Sequence, residues 1–128
     1  MYQYGFEKLE VWHDARKLVF EIYKVTKMFP VEEKYTLCSQ MQRASVSIVS
    51  NIAEGACRSS SKEKVRFIEV AYGSLMETYC QLYIALDLQY ITESQFAELK
   101  EVVNKISNKL NALNRSFKQC LDGKPKND

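Results

Sequence analysis

Arg43-Ala44-Ser45-Val46-Ser47-Ile48-Val49-Ser50-Asn51-Ile52-Ala53-Glu54-Gly55 is the stretch that decides the fold of this chain. At 100° per residue on a helix, its polar side chains share an arc of about 100°. They are Arg43, Ser47, Ser50, Asn51 and Glu54, and Arg58, just beyond the stretch, lies on the same arc. Apolar and small residues fill an arc roughly twice as wide, whereas a surface helix needs one apolar stripe little over ~100° wide. The segment is therefore predicted to be covered on two sides, inside a bundle or at a subunit contact.

Apolar residues recur at helical spacing on both sides of this segment and predict further helices. In a first helix, near 7–28, they are Leu9, Trp12, Ala15, Val19, Ile22 and Val25 or Thr26. Phe29-Pro30 ends this helix, because proline disfavours a helical conformation in the residue before it. The central stretch then belongs to a second helix from about 33 to 57, with Glu32 and Glu33 favourably placed at its positive N-terminal end.

Two more helices follow the serine-rich break at Ser59-Ser60-Ser61. The third is predicted to begin with Ser61 as its N-cap and to end near 88–89. The pattern Thr92-Glu93-Ser94-Gln95 is a capping box and opens the fourth helix. That helix has a strict heptad seam at Phe96, Leu99, Val103, Ile106, Leu110, Leu113 and Phe117. Such a seam packs near-parallel helices knobs-into-holes.

Four long helices with short links predict an all-α protein, an antiparallel up-down-up-down four-helix bundle. We expect a single domain over residues 1–121, a loosely held start at 1–5 and a disordered tail at 122–128. The chain has 128 residues, 46% of them hydrophobic and 27% charged, and a net charge of +2. These values are ordinary for a globular protein, and so small a positive charge does not by itself indicate nucleic-acid binding.

The composition argues against several functional classes. The four cysteines at 38, 57, 80 and 120 form no Cys-x-x-Cys pair and have no nearby histidine, so we expect neither a metal site nor a cofactor. No apolar run is long enough to cross a membrane, and no Gly-rich phosphate loop occurs. We therefore expect a cytoplasmic protein with reduced thiols, no membrane partner and no small-molecule substrate.

The candidate catalytic groups have simpler interpretations. His13, the only histidine, precedes Asp14, but adjacent helical residues point about 100° apart and do not face each other. Glu54 and Arg58 are spaced i, i+4 in the favourable order for a helical ion pair. A polar network or subunit interface involving Arg43, Ser47, Asn51, Ala53 and Glu54 explains that group better than catalysis does. We expect the protein not to be an enzyme.

Two groups of basic residues are the candidate nucleic-acid contacts. Arg58, Lys62, Lys64 and Arg66 surround the serine loop, and Lys105, Lys109, Arg115 and Lys118 lie on the fourth helix. The second group does not form one face, because Lys105 and Lys109 point about 40° apart while the other two lie more than 100° away. Both groups are equally consistent with solvated helix flanks. Tyrosines such as Tyr2, Tyr4, Tyr35 and Tyr83 could stack on bases or fill subunit contacts.

Several short motifs carry a resemblance to a known family. They are Phe6-x-x-Leu9-x-Val11-Trp12, Phe29-Pro30, Ser47-Ile48-x-x-Asn51-Ile52-Ala53-Glu54-Gly55, Lys62-Glu63, Arg66-Phe67 and Gly73-Ser74-Leu75-x-Glu77. Over roughly residues 6–117 the chain resembles the 23S rRNA-intervening sequence proteins, often called "S23 ribosomal protein". The resemblance implies a four-helix bundle that assembles as a homopentamer. It also extends to the accessory variability protein of diversity-generating retroelements, which contacts a reverse transcriptase and nucleic acid.

Two functions remain open on this basis. The first is a non-enzymatic homo-oligomeric bundle that binds RNA or DNA through repeated basic patches, either alone or as an accessory to a partner protein. The second is an oligomeric scaffold for protein–protein interaction with no nucleic-acid role. Helix 2, or the small-residue face of the third helix at Ala71, Ser74, Thr78 and Ala85, is expected to form the subunit contacts.

Overall fold

A computed structural model describes residues 2–121, and within that range the chain is helical and contains no β-strand. Four α-helices follow one another: α1 (Glu10–Thr26), α2 (Leu37–Cys57), α3 (Ser61–Asp87) and α4 (Glu93–Leu121). Short 3-10 helices at Gly5–Lys8 and Val31–Glu33 precede α1 and α2. The predicted all-α class is confirmed. The predicted disordered tail at 122–128 lies outside the described residues.

The four helices enclose one hydrophobic core. α1 packs against α2 and α4, and α3 packs against the same two helices. The largest fully buried side chains are Leu18, Ile22, Met41, Ile48, Ile52, Ile68, Leu75, Leu82, Ile106 and Leu110. Truncating one such side chain to alanine removes buried apolar atoms and leaves a cavity, at a typical cost of about 2–5 kcal/mol. The core therefore carries most of the stability of the bundle.

α2 lies between α1 and α3, in agreement with the width of its apolar arc. Its Gly55 lies against α3, where an added Cβ would be 3.1 Å from the Cβ of Phe67 and 3.3 Å from Cδ1 of Ile68. Glycine at this position allows the two helices to approach closely. On the outer side of α2, Val46 remains 40% exposed, and Val49 and Ala53 are half-buried. Part of the apolar arc thus reaches the surface of the single chain.

The heptad seam predicted for the fourth helix is confirmed at its centre. Leu99, Val103, Ile106 and Leu110 are all buried in the core. The capping box is also present: the Gln95 amide donates to the Thr92 hydroxyl at 3.0 Å, and the Thr92 amide donates to Oε1 of Gln95 at 2.9 Å. Both side chains satisfy backbone donors that the first turn of a helix leaves unpaired.

Three predicted helix starts were wrong by one to four residues. α1 begins at Glu10 rather than near 7, because Gly5–Lys8 forms a separate 3-10 turn that ends at an extended Leu9. α2 begins at Leu37 rather than near 33, since Glu33 accepts hydrogen bonds from Thr36 at 2.6 Å and from the Tyr90 hydroxyl at 2.8 Å. The N-cap of α3 is Ser60 rather than Ser61, because the Ser60 hydroxyl accepts from the Glu63 amide at 3.2 Å.

Candidate nucleic-acid interface

Cations around the α2–α3 loop are held by three helices. Arg58 is ion-paired with Glu54, and its guanidinium carbon lies 4.7 Å from the ring centroid of Phe67. The ammonium of Lys64 donates to the Ala56 carbonyl at 3.1 Å and lies 5.3 Å from the ring centroid of Phe117. Because Phe117 belongs to α4, this contact brings the last turns of α4 beside the α2–α3 loop. Residues far apart in sequence therefore form one surface.

Further cations of both predicted groups lie at the same end of the bundle. Lys118 of α4 is 3.8 Å from the carboxylate of Glu69 on α3, and Arg66 is 4.0 Å from Glu63. The side chains of these pairs are between 48% and 75% exposed, so water screens them and they contribute little to stability. Lys62 and Arg115 are also exposed. We call the following set the basic end: Arg58, Lys62, Lys64, Arg66, Arg115 and Lys118.

Lys105 and Lys109 lie elsewhere, in a charged cluster with Glu10 and Asp14 of α1. The ammonium of Lys109 is 2.6 Å from carboxylate oxygens of both acids, and that of Lys105 is 3.5 Å from Asp14. The Asp14 side chain is only 6% exposed. Two lysines therefore neutralise one buried and one exposed carboxylate between α1 and α4. The four cations of α4 therefore do not share one face, as their spacing predicts: Lys105 and Lys109 pair with α1, whereas Lys118 pairs with α3.

The pKa values within the charged cluster reflect this pairing. Burial acts to raise the pKa of the Asp14 carboxyl, but the hydrogen bond and charge of Lys109, with the charge of Lys105, lower it further, so the net shift is downward. The pKa of Glu10 is lowered, chiefly by its hydrogen bond from Lys109. Hydrogen bonds to Asp14 and Glu10 raise the pKa of Lys109. Each shift favours the charged form, which is expected of an ion pair that links two helices.

The polar stripe of α2 divides into two parts. Ser47 forms a 2.8 Å hydroxyl–hydroxyl hydrogen bond with Ser74 of α3, and the Asn51 amide donates to Ser47 at its carbonyl (2.8 Å) and hydroxyl (3.0 Å). Thr78 continues the network by donating to the Ser74 carbonyl at 2.9 Å. These four residues form a polar seam between α2 and α3. Arg43, Ser50 and Glu54 of the same stripe face solvent.

The small-residue face of α3 lies inside the chain. Ala71, Thr78 and Ala85 are completely buried, and Ser74 is 9% exposed. These side chains already have intramolecular neighbours, so they are not available as a subunit contact. Of the two predicted surfaces, only α2 has accessible residues, Val46 and Ala53, and a subunit contact there stays a prediction.

His13 and Asp14 do not form a catalytic pair. His13 Nε2 donates to the Glu7 carbonyl at 2.7 Å, since a carbonyl can only accept, and its Nδ1 is 3.3 Å from Nη1 of Arg16. Asp14 is directed to the lysines of the charged cluster instead. Among residues 2–121, no three histidine, cysteine or acidic side chains are grouped as a metal site. None of the helices in this range has the length and apolarity needed to cross a membrane.

An aromatic ladder at the start of the chain was missed as a unit by sequence reasoning. It consists of Tyr2, Tyr4, Phe6 and Trp12, each ring within 6.3 Å of the next between centroids. The tyrosines were noted singly, whereas the alternation Tyr2-x-Tyr4-x-Phe6 is the signal that could have found the ladder. Alternate side chains share one face in an extended segment such as the one that ends at Tyr4, and Phe6 lies in the 3-10 turn that follows.

Fold and surface together define a helical bundle protein with one basic end. Residues 7–112 match the family model described as 23S rRNA-intervening sequence protein, and the chain belongs to that family. A solved structure with the same fold is that of a protein of unknown function from the S23 ribosomal protein family of Bacteroides thetaiotaomicron. The two share 22% sequence identity with a TM-score of 0.76, over 82% of this chain and 95% of the other. No curated protein sequence gives a significant match.

Proposed function

We propose that this protein binds RNA or DNA through the basic end, without catalysing a reaction. The observation that carries the proposal is that the cations around the α2–α3 loop meet Arg115 and Lys118 of α4, about 50 residues further along the chain, at one end of the bundle. The Lys64–Phe117 and Lys118–Glu69 contacts support this arrangement because each joins α3 to α4. The grouped cations would present several positive charges to a polyanionic backbone.

Exposure makes the basic end suited to phosphate contacts. Its carboxylate partners are themselves exposed, so a phosphate can replace a carboxylate without leaving a buried charge unpaired. The guanidinium groups of Arg58, Arg66 and Arg115 can each bind a phosphate through two parallel hydrogen bonds. Lys105 and Lys109 do not belong to this surface, because Asp14 and Glu10 already neutralise them.

We further propose that the bundle is an antiparallel up-down one and acts as a homo-oligomer, a pentamer according to the family resemblance. Two contacts favour the antiparallel order: Gly55 near the end of α2 meets Phe67 near the start of α3, and Gln42 near the start of α2 donates to Thr26 at the end of α1. Val46 and Ala53 supply the apolar surface for a subunit contact on α2. Repeating the basic end around an assembly would multiply phosphate contacts and raise affinity.

The assembly proposal is tested by Ala53→Arg, which introduces a long cation into the contact. Light scattering should give a lower mass than for the wild type, with an unchanged helical circular dichroism spectrum. Lys100→Ala, an exposed position on α4, serves as the control and should keep the wild-type mass. An Ala53→Arg protein that is folded and keeps the full mass would contradict the assignment of α2 to the contact.

Binding is tested with a combined variant of the basic end. Lys62→Gln, Arg66→Gln, Arg115→Gln and Lys118→Gln together remove four exposed cations and leave Lys64 and its packing intact. We expect affinity for fluorescent duplex DNA and structured RNA at low salt to fall by at least roughly 10-fold. The matched control replaces Lys17, Lys24, Lys27 and Lys34, which are exposed outside the basic end, by glutamine.

The control decides between a defined surface and general charge. If both variants bind equally weakly, net charge rather than the basic end governs binding, and the proposed surface is wrong. If the wild-type protein binds neither probe at low salt, the nucleic-acid proposal fails altogether. The subunit surface on α2 would then stand as a protein-interaction scaffold.

A further inference from the structure

We propose that the aromatic ladder is a stacking platform for unpaired bases, so that the preferred ligand is single-stranded nucleic acid. This inference rests on the proposed function and adds the class of nucleic acid. The inference depends on the outer two rings, because Tyr2 is 76% exposed and Tyr4 is 58% exposed. Exposed aromatic rings beside cations are the usual means by which proteins hold single strands without reading their sequence.

The ladder is continuous from solvent to the core of the chain. Tyr2 meets Tyr4 edge-on with ring centroids 4.9 Å apart, and Tyr4 lies nearly parallel to Phe6 at 6.3 Å. Phe6 then contacts the half-buried Trp12 at 4.9 Å. The guanidinium carbon of Arg16 lies 4.8 Å from the centroid of the Trp12 ring. A base stacked on an exposed tyrosine face would extend an existing series of aromatic contacts, of which Tyr4–Phe6 is the parallel one.

Hydrogen bonds hold the segment that presents the tyrosines. The Tyr4 amide donates to Oε1 of Glu7 at 3.0 Å, and the Glu7 amide donates to the Tyr4 carbonyl at 3.0 Å. The Glu7 carbonyl in turn accepts from His13, which fixes the 3-10 turn to α1. A surface ordered before binding loses less conformational entropy when a ligand is added.

The ladder lies towards the basic end of the bundle. The N-terminal 3-10 helix packs against α2 as well as α1. Thr26 at the end of α1 contacts Cys38 and Gln42 at the start of α2. Because α1 is 17 residues long and runs back along α2, its start falls beside about residue 55 of α2, next to Arg58. A strand could therefore stack on the tyrosines while its phosphates meet the basic end.

The test compares a single strand with a duplex. The probes are fluorescein-labelled 20-nucleotide poly(U) and a 20-base-pair DNA duplex, titrated with the full chain at one salt concentration. Tyr2→Ala combined with Tyr4→Ala should weaken poly(U) binding by roughly 10-fold or more, since each stacked base contributes substantially to affinity. Duplex binding should change less than about 2-fold, because phosphate contacts dominate it.

Two control variants isolate the rings. Tyr2→Phe combined with Tyr4→Phe keeps both aromatic faces and should retain wild-type poly(U) binding. Tyr35→Ala removes a ring that is 84% exposed but lies in the α1–α2 connection, and it should also have no effect. Ultraviolet crosslinking to poly(U) should label the tryptic peptide that ends at Lys8, which contains both tyrosines.

The outcomes separate this inference from the function on which it rests. If both probes bind the wild type and the double alanine variant binds both as well as the wild type does, the stacking inference is wrong and the nucleic-acid proposal stands. The inference is equally wrong if the variant weakens both probes alike. A changed assembly mass in the variant would assign the tyrosines to a subunit contact instead. If neither probe binds the wild type, the function and the inference fail together.

Discussion

The charged cluster between α1 and α4 and the basic end contain the same kinds of residue but differ in environment. In the charged cluster, the Asp14 side chain is 6% exposed and accepts from Lys109 at 2.6 Å. At the basic end, both members of each ion pair are exposed by 42% or more. Burial thus distinguishes lysines that stabilise the fold from cations that can exchange their partners. Changes in the charged cluster should therefore lower stability and leave binding unchanged, whereas changes at the basic end should weaken binding and leave stability unchanged.

Of the changes that compare these two regions, Asp14→Ala should have the largest effect on stability. This change removes the buried carboxylate and leaves Lys109 with only the exposed Glu10. We expect the free energy of unfolding to fall by about 2–3 kcal/mol, less than is typical when one partner of a fully buried ion pair is removed, because Glu10 still pairs with Lys109. Urea denaturation followed by circular dichroism measures this change in the free energy of unfolding. A variant as stable as the wild type would show that the charged cluster does not stabilise the fold. Burial would then not distinguish it from the basic end.

A smaller effect should appear on acidification. The folded-state pKa of Asp14 is below its ordinary value of 3.8, so the unfolded chain takes up the proton first. The stability that this group contributes is complete above about pH 4 and is lost as the pH falls through the folded-state pKa. The melting temperature of Asp14→Asn should therefore decline less than that of the wild type between pH 5 and pH 2.

The acid series has a matched control at the basic end. Glu54→Gln also removes one carboxylate from an ion pair, but from the exposed pair with Arg58. Its melting temperature should follow the wild-type pH dependence. If Asp14→Asn and the wild type gave parallel curves over this range, Asp14 would not be responsible for the acid sensitivity.

The smallest effect on stability is expected for Glu54→Ala. The pair with Arg58 is i, i+4 on one helix and is screened by water, so its removal should leave the urea midpoint within error of the wild type. Binding of duplex DNA should be unchanged or slightly stronger, because Arg58 loses a competing carboxylate. A large loss of stability here would contradict the assignment of the basic end to binding rather than folding.

Local sequence signals predicted much of the fold. The α4 heptad and the Thr92–Gln95 capping box were confirmed, because both depend on residues within one or two turns of a helix. The start of α2 could not be predicted in the same way. Glu33 is a favourable first-turn residue, yet the Tyr90 hydroxyl, 57 residues away, binds its carboxylate and holds it in the preceding turn.

The candidate site was predictable in composition but not in arrangement. Both basic groups were identified from the sequence, and the spacing of the second correctly separated Lys105 and Lys109 from Arg115 and Lys118. The acidic partners of Lys109 could not be predicted, because Glu10 and Asp14 lie 99 and 95 residues away in the chain. Tertiary packing decides which lysine meets a buried acid and which reaches solvent.

The most direct test of the account is the salt dependence of duplex DNA binding in three proteins. These are the wild type, the four-residue basic-end variant, and Lys105→Gln combined with Lys109→Gln. We predict that the slope of log K against log salt becomes shallower by at least about 1 in the basic-end variant, since each lost phosphate contact removes ~0.9. The charged-cluster variant should be less stable than the wild type but keep the wild-type slope. A shallower slope in the charged-cluster variant, with an unchanged slope in the basic-end variant, would contradict the account.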